Sequence, residues 1–248
     1  MLHVVATPIG NLGDLTPRAR EALQTAGLIA CEDTRRTWGL LSALGLPRPE
    51  MVSYREGREE AAGERIVAAL RAGRLVALCS DGGYPGISDP GYRLVRRVAQ
   101  EGLPFDVCPG ASAVDVALIL SGLPTSSYTF KGFPPRRHGV LRRFFEEERA
   151  AAHTLVVFES PFRVGATLRV ALEVLGDREA AVCIELTKLH ERVVRGHLST
   201  LVPQFAAPVR GEVTLVFAGA NPKFTLATPA SPDHPSPAAP APSRNADQ

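Results

Sequence analysis

The stretch Leu75–Gly91, LVALCSDGGYPGISDPG, joins an apolar run to a segment with four glycines, two prolines and two aspartates. LVALC reads as a buried strand. A plain surface turn closes with about two to five residues, and Ser80–Gly91 is longer. Its glycines stand where a backbone can approach another group closely, and its prolines hold that backbone in shape. The helical pattern that opens near Tyr92 and stops at Gly102 completes a strand–loop–helix unit.

The same unit repeats on the N-terminal side. LHVVAT precedes a helix that opens at Thr16-Pro17, a cap residue then proline, and closes at Gly27. LIAC precedes a helix through Leu44, MVSY a helix near 59–72, and FDVC closes the series. Five strands alternating with four helices predict a parallel sheet wound with helices. Beyond PGASAVDVALILSGLP, TLVVFES and AAVCIELT read as strands around a helix over 161–175. HERVVRGHL and GEVTLVFAG follow with little room for helices between them, which predicts antiparallel edge strands and a mixed second sheet. The expected organisation is α/β with two domains, 1–109 and 110–220, and a cleft between them. From Asn221 the chain turns rich in Pro, Ala and Ser, so 221–248 is expected to be a disordered tail.

Composition narrows the function classes. The chain has 248 residues, 45% of them hydrophobic and 22% charged, which suits a soluble globular protein. A formal net charge of +2 excludes a polycation that binds nucleic acid by bulk charge. The four cysteines, Cys31, Cys79, Cys108 and Cys183, show no CxxC spacing and sit in strand-like apolar runs. They read as buried thiols in a reducing cytoplasm, with neither disulfides nor zinc. No basic-flanked signal peptide and no membrane-length apolar run occurs.

In an open parallel sheet, ligands bind beyond the carboxyl ends of the strands. TPIGNLGD, CEDTRR, SYREGREE, SDGGYPGISDPG, PGASA, FESPFR and ELTKLHE all follow expected strands, which gathers the unusual residues in one cleft. Neither a P-loop nor GxGxxG is present, nor a GxSxG elbow. The six histidines show no paired ligand spacing, so no metal is expected.

TPIGNLGDLTPRA, EDTR, SDGGYPGISDPG, PGAS, the GF of KGFPP, FESPFR, ELTK and RGEVTLVF stand in the order found in the tetrapyrrole methylase superfamily. From residue 1 to about 220 the chain resembles the branch that 2′-O-methylates a cytidine ribose in 16S rRNA of the small ribosomal subunit. The resemblance implies S-adenosyl-L-methionine as cofactor, bound between the domains, and a homodimer. It implies cofactor contacts from Thr7, Pro8, Ile9 and Gly10, from Asp81, Gly82, Gly83 and Tyr84 at the methionine end, and from Ile87. Ser112 and Ala113 would follow, with Glu159 and Leu186 on the adenosine side. The chain departs from the family where YREGRE replaces YHEHNE, DGGYP replaces DAGTP, and Phe162 stands where histidine is common.

Methyl transfer to a ribose hydroxyl is an in-line displacement that needs positioning and a proton acceptor. Asp33 is the expected acceptor, or else the cap of the following helix. Lys188 would orient substrate, or pair with Glu185 or Glu191; Arg35 would hold a phosphate, or pair with Glu32. Lys131–Arg143, KGFPPRRHGVLRR, carries five Lys and Arg residues and no acid, a candidate track for RNA. Two other readings stand beside the ribose methyltransferase: a methylase of tetrapyrrole intermediates, and a ribosome assembly factor without catalysis.

Overall fold

The computed structural model describes residues 1–225 of the chain. In the first half, strands β1 (Leu2–Val5), β2 (Leu28–Cys31), β3 (Glu50–Ser53), β4 (Val76–Cys79) and β5 (Phe105–Cys108) pair in the order β3-β2-β4-β1-β5. All four pairings are parallel. Helices α1 (Pro17–Thr25), α2 (Thr34–Ala43), α3 (Glu59–Arg71) and α4 (Tyr92–Gln100) make the crossovers. Every residue of β2 and β4 is buried, as expected for strands covered on both faces. Ala19, Leu23 and Leu41 of α1 and α2 pack on one face, while Ile66, Leu70, Leu94 and Val98 of α3 and α4 pack on the other.

This strand order makes the cleft. β1 and β4 are neighbours, yet the chain leaves β1 toward β2 and leaves β4 toward β5 on the opposite side. The connections after these two strands therefore lead to opposite sides, which places a crevice at the sheet's carboxyl edge.

The second half contains α5 (Ala113–Ser121), β6 (Tyr128–Phe130), α6 (His138–Glu148), β7 (Thr154–Glu159), α7 (Val164–Leu175), β8 (Glu179–Ile184), β9 (Arg192–His197), α8 (Leu198–Gln204) and β10 (Val213–Phe217). Its sheet runs β6-β7-β10-β8-β9, parallel at β6–β7 and antiparallel elsewhere. The mixed sheet is as expected, but two details are corrected. GEVTLVFAG is no edge: β10 lies between β7 and β8 with all five residues buried, which its unbroken apolar run VTLVF suits. The stretch after β9 also holds a helix, because the seven residues of α8 suffice to bury Leu198 and Leu201 under the sheet.

A third correction concerns the tail. Asn221 caps a short 3-10 helix over Pro222–Phe224 by accepting a hydrogen bond from the Lys223 N–H. Phe224 packs against the apolar cluster that includes Val216 and Ala218, and Thr225 bridges to Arg178. Order thus continues past Asn221; the rest of the expected tail lies outside the described residues. The four cysteines are free and buried. Among the described residues no helix is long and apolar enough to cross a membrane.

Candidate active site

The loops after β1 and β4 are sewn together by backbone. The Thr7 N–H donates to the Gly83 carbonyl at 2.9 Å, and the Gly83 N–H donates to the Thr7 carbonyl at 3.0 Å. Gly83 sits at φ +81°, a left-handed conformation that a β-branched residue rarely adopts. A Cβ added at Gly82 would lie 3.5 Å from the Pro8 carbonyl, so the two loops run in contact. The first loop also reaches the second half. A Cβ on Gly10 would stand 2.4 Å from Lys188 Cγ and 3.0 Å from the Leu186 carbonyl, an approach open only to glycine. The Asn11 N–H donates to Thr187 Oγ1 at 3.2 Å across the same junction.

These loops enclose a cavity of about 900 Å³ between the two sheets, near the upper end of the range for small-molecule sites. Pro8, Ile9, Gly10, Asp81, Gly82, Gly83, Tyr84, Ile87, Ser112, Ala113, Glu159 and Leu186 all line it, together with Lys188. Thr7 is buried behind the lining and acts through its bridge to Gly83. Tyr84, which stands in place of a small hydroxyl residue, accepts a hydrogen bond from the Gly110 N–H at 3.0 Å. The larger side chain thereby ties the glycine loop to PGAS.

The three described non-glycine residues with positive φ, Ser88, Glu185 and Thr187, all belong to loops of this site. Backbone strain of this kind costs about 1–3 kcal/mol per residue and collects where function requires a fixed shape. The Glu185 carboxylate accepts from Lys188 Nζ at 2.8 Å and from the Glu212 N–H at 2.8 Å, which holds the ELTK loop. Lys188 also pairs with Glu212 at 2.9 Å; burial pulls its pKa down, but these two partners outweigh that and raise it. Glu191, the other expected partner, instead accepts from the Thr187 N–H.

Buried Glu159 is fully engaged. It accepts from the Ser160 N–H at 2.7 Å and from the Thr167 hydroxyl, and it pairs with Arg163 at 3.3 Å. Arg163 continues to the carbonyls of Pro134 and Pro135, and so anchors the start of the basic segment. Within that segment Lys131 pairs with Glu148 at 2.6 Å and Arg142 with Glu146 at 3.1 Å. Arg136, Arg137 and Arg143 are exposed and, among the described residues, form no ion pair. Phe133, 60% exposed, lines the cavity beside them and meets Phe158 edge to face.

Besides Thr7, two expected residues, Asp33 and Arg35, fall outside the lining. Asp33 is the N-cap of α2: it accepts from the Arg35 N–H at 2.8 Å and pairs with the Arg35 guanidinium at 3.0 Å. That guanidinium, and then the amide, hold the exposed Asp33 carboxyl at about 2, too acidic to accept a proton near neutrality. The cap turns the chain so that Glu32 and Arg36, rather than Asp33 and Arg35, face the cavity. Sequence reasoning also passed over Asp89 and Glu212, which line it too, although both lie within motifs already singled out, SDPG and RGEV. β-Pairing separately brings His3, Asp106 and Cys108 together, with His3 and Asp106 2.7 Å apart; none of the three lines the cavity.

The family described as Tetrapyrrole (Corrin/Porphyrin) Methylases matches residues 1–202. A ribosomal RNA small subunit methyltransferase I from Halalkalibacterium halodurans is 45% identical over 219 residues, covering 88% of this chain and 75% of the relative. One of the same name from Thermotoga maritima is 42% identical over 220 residues, covering 88% and 98%. Among solved structures, uroporphyrin-III-C-methyltransferase from Thermus thermophilus superposes with a TM-score of 0.63 at 24% identity, covering 88% of this chain and 93% of that one. The same enzyme complexed with S-adenyl homocysteine gives 0.58 at 22%, covering 88% and 96%. With a family match over residues 1–202 and relatives 42–45% identical over most of the chain, the protein belongs to the tetrapyrrole methylase family and groups within it with the ribosomal RNA small subunit methyltransferases I.

Proposed function

We propose that this protein transfers a methyl group from S-adenosylmethionine to the 2′-oxygen of a cytidine ribose in small-subunit rRNA. The observation that carries this reading is the cavity between the sheets, in a chain 42–45% identical to proteins named as rRNA small subunit methyltransferases. Its lining suits the cofactor in shape and charge. Gly82 and Gly83 leave backbone free of side chains, Ile9, Val114 and Leu186 supply apolar wall, and five carboxylates against two cations favour a sulfonium. When bound, the cofactor supplies the methyl group as an electrophile. The chain's own groups orient the reactants, exclude water and accept the ribose proton.

In this reading residues 1–109 and 110–220 are two α/β domains that enclose the cofactor, and their contact at Gly10–Lys188 sets the cleft width. Exposed Arg136, Arg137 and Arg143 hold RNA phosphates at the rim, away from the acidic floor. Phe105 and Val107 are 39% and 44% exposed on edge strand β5, which favours the dimer that belongs to the same reading.

The test is methylation of small subunits from cells lacking this gene, with labelled S-adenosylmethionine, nuclease digestion and mass analysis. A single 2′-O-methylcytidine is expected. Label on a nucleobase, or transfer only to a uroporphyrin-type substrate, would overturn the reading.

A further inference from the structure

The cavity carboxylates are not equivalent. Glu159 is consumed by Arg163 and Thr167, Asp81 pairs with Arg36 at 3.2 Å, and Glu212 pairs with Lys188 at 2.9 Å. Glu32 and Asp89 line the same cavity and, among the described residues, form no ion pair. Asp89 has a built position. Gly86 and Gly91 meet backbone to backbone, since a Cβ on Gly91 would stand 2.8 Å from Gly86 N. That pinch throws Ile87, Ser88 and Asp89 forward as a tip, and all three line the cavity. Ser88 is held at φ +61°, and its hydroxyl would lie 3.2 Å from a Cβ on Gly132, just before Phe133. The tip therefore spans from the glycines at 82–83 to the start of the arginine-rich segment, where cofactor and RNA would meet.

We propose that Asp89 is the catalytic residue that accepts the proton of the attacking hydroxyl, an assignment that rests on the function proposed above. The O2′ lone pair forms the new bond to the methyl carbon. The carbon–sulfur bond breaks with its electron pair going to sulfur, and the O2′ proton passes to the Asp89 carboxylate and then to water. The surroundings fit this task. Asp89 faces Glu32 and Arg36 from the β2–α2 side, Asp81 from its own loop, and Glu212 with Lys188 from the second half. Burial, and next the charge of Glu32, push Asp89 up to about 6, near the pH at which a general base is most effective.

The test uses the full chain with Asp89→Asn, Asp89→Glu and Glu32→Gln. Single-turnover methylation of small subunits is followed against pH, and S-adenosylmethionine binding by calorimetry. Asp89→Asn is expected to slow methyl transfer ~10²–10⁴-fold, to erase the rate dependence near pH 6, and to leave cofactor affinity within about threefold. Asp89→Glu is expected to keep the pH dependence at a reduced rate. Glu32→Gln is expected to move it to lower pH, because one charge that raises Asp89 is gone. Carbon-13 carboxyl titration without cofactor reads the same group independently of activity and is expected to find Asp89 near 6 in the wild type. An Asp89→Asn rate within threefold of wild type would overturn the proposal. So would loss of cofactor binding equal to the loss in rate, or disappearance of the pH dependence in Glu32→Gln alone. Wild-type protein that methylates no rRNA would instead overturn the function reading, and this assignment with it.

Discussion

Gly83 and Asp89 stand six residues apart in one loop and represent two kinds of constraint. At Gly83 the constraint is backbone geometry. Its φ of +81° excludes β-branched residues, whereas the nearest atoms to an added Cβ, Ile9 Cγ2 at 3.5 Å and the Ala111 carbonyl at 3.7 Å, leave room for one methyl group. Gly83→Val is therefore expected to strain the loop by about 1–3 kcal/mol, to distort the bridge to Thr7, and to abolish S-adenosylmethionine binding while the circular dichroism stays native. Calorimetry showing wild-type affinity would mean that the glycine serves only the turn. At Asp89 the constraint is electrostatic and has a sign. A carboxyl near 6 in the fold, against about 3.9 in the unfolded chain, binds more protons when folded between those values. Stability from this group is thus highest below about pH 4 and is lost as pH rises through 6. Asp89→Asn is expected to stabilise the fold at pH 7 by about 1 kcal/mol after allowance for solvent screening, with no gain at pH 4, as urea melts at the two pH values would measure.

On the element scale, α6 and the turn before it divide the basic segment. Lys131 and Arg142 are tied to acids of α6 itself, Glu148 and Glu146, while Arg136, Arg137 and Arg143 are exposed and form no ion pair among the described residues. Replacing those three by Ser is expected to flatten the slope of log affinity against log salt by about 2 for a single-stranded RNA. Replacing Lys131 and Arg142 instead is expected to leave the slope nearly unchanged. Filter binding across a salt series reads both, and equal slopes for the two sets would remove α6 from the RNA surface. The opposite end of the element explains why order passes Asn221: buried Arg178 donates to the carbonyl of Arg149 behind α6 and to that of Ala218, and so gathers the last strand's exit.

For the whole molecule, the boundary that matters to stability is Thr225 rather than Asn221. Ending the chain after Thr225 is expected to leave the melting temperature unchanged, since LATPASPDHPSPAAPAPSRNADQ offers one apolar side chain larger than alanine or proline, Leu226. Ending it after Asn221 strips Phe224 from the apolar cluster it packs against and deletes the Arg178–Thr225 bridge. A cost of about 1 kcal/mol predicts a fall of roughly 2–4 °C. Differential scanning calorimetry of the two truncations would separate them, and equal melting temperatures would show that Phe224 contributes nothing.

The sequence by itself determined the α/β alternation, the first parallel sheet, the buried cysteines and six of the seven loops expected at the cavity; SYREGREE, the seventh, lines none of it. Each of these follows from short-range stereochemistry: apolar period, glycine and proline punctuation, and helix caps, all written within a dozen residues. Only the tertiary structure decided what depends on distant partners. Centrality of β10 required β7 and β8 on either side, a pairing invisible within VTLVF. Which member of CEDTRR lines the cavity turned on the Asp33 cap, which leaves Glu32 and Arg36 at the cavity and ties Asp33 to Arg35 outside it. Whether an acid is free or neutralised was likewise settled at long range. Glu212 meets Lys188 from 24 residues away and Asp81 meets Arg36 across two strands, and among the described residues that leaves Glu32 and Asp89 as the carboxylates of the site without an ion pair. Spacing along a chain fixes which side chains share a loop, but the charge that each one keeps depends on neighbours brought in by the fold.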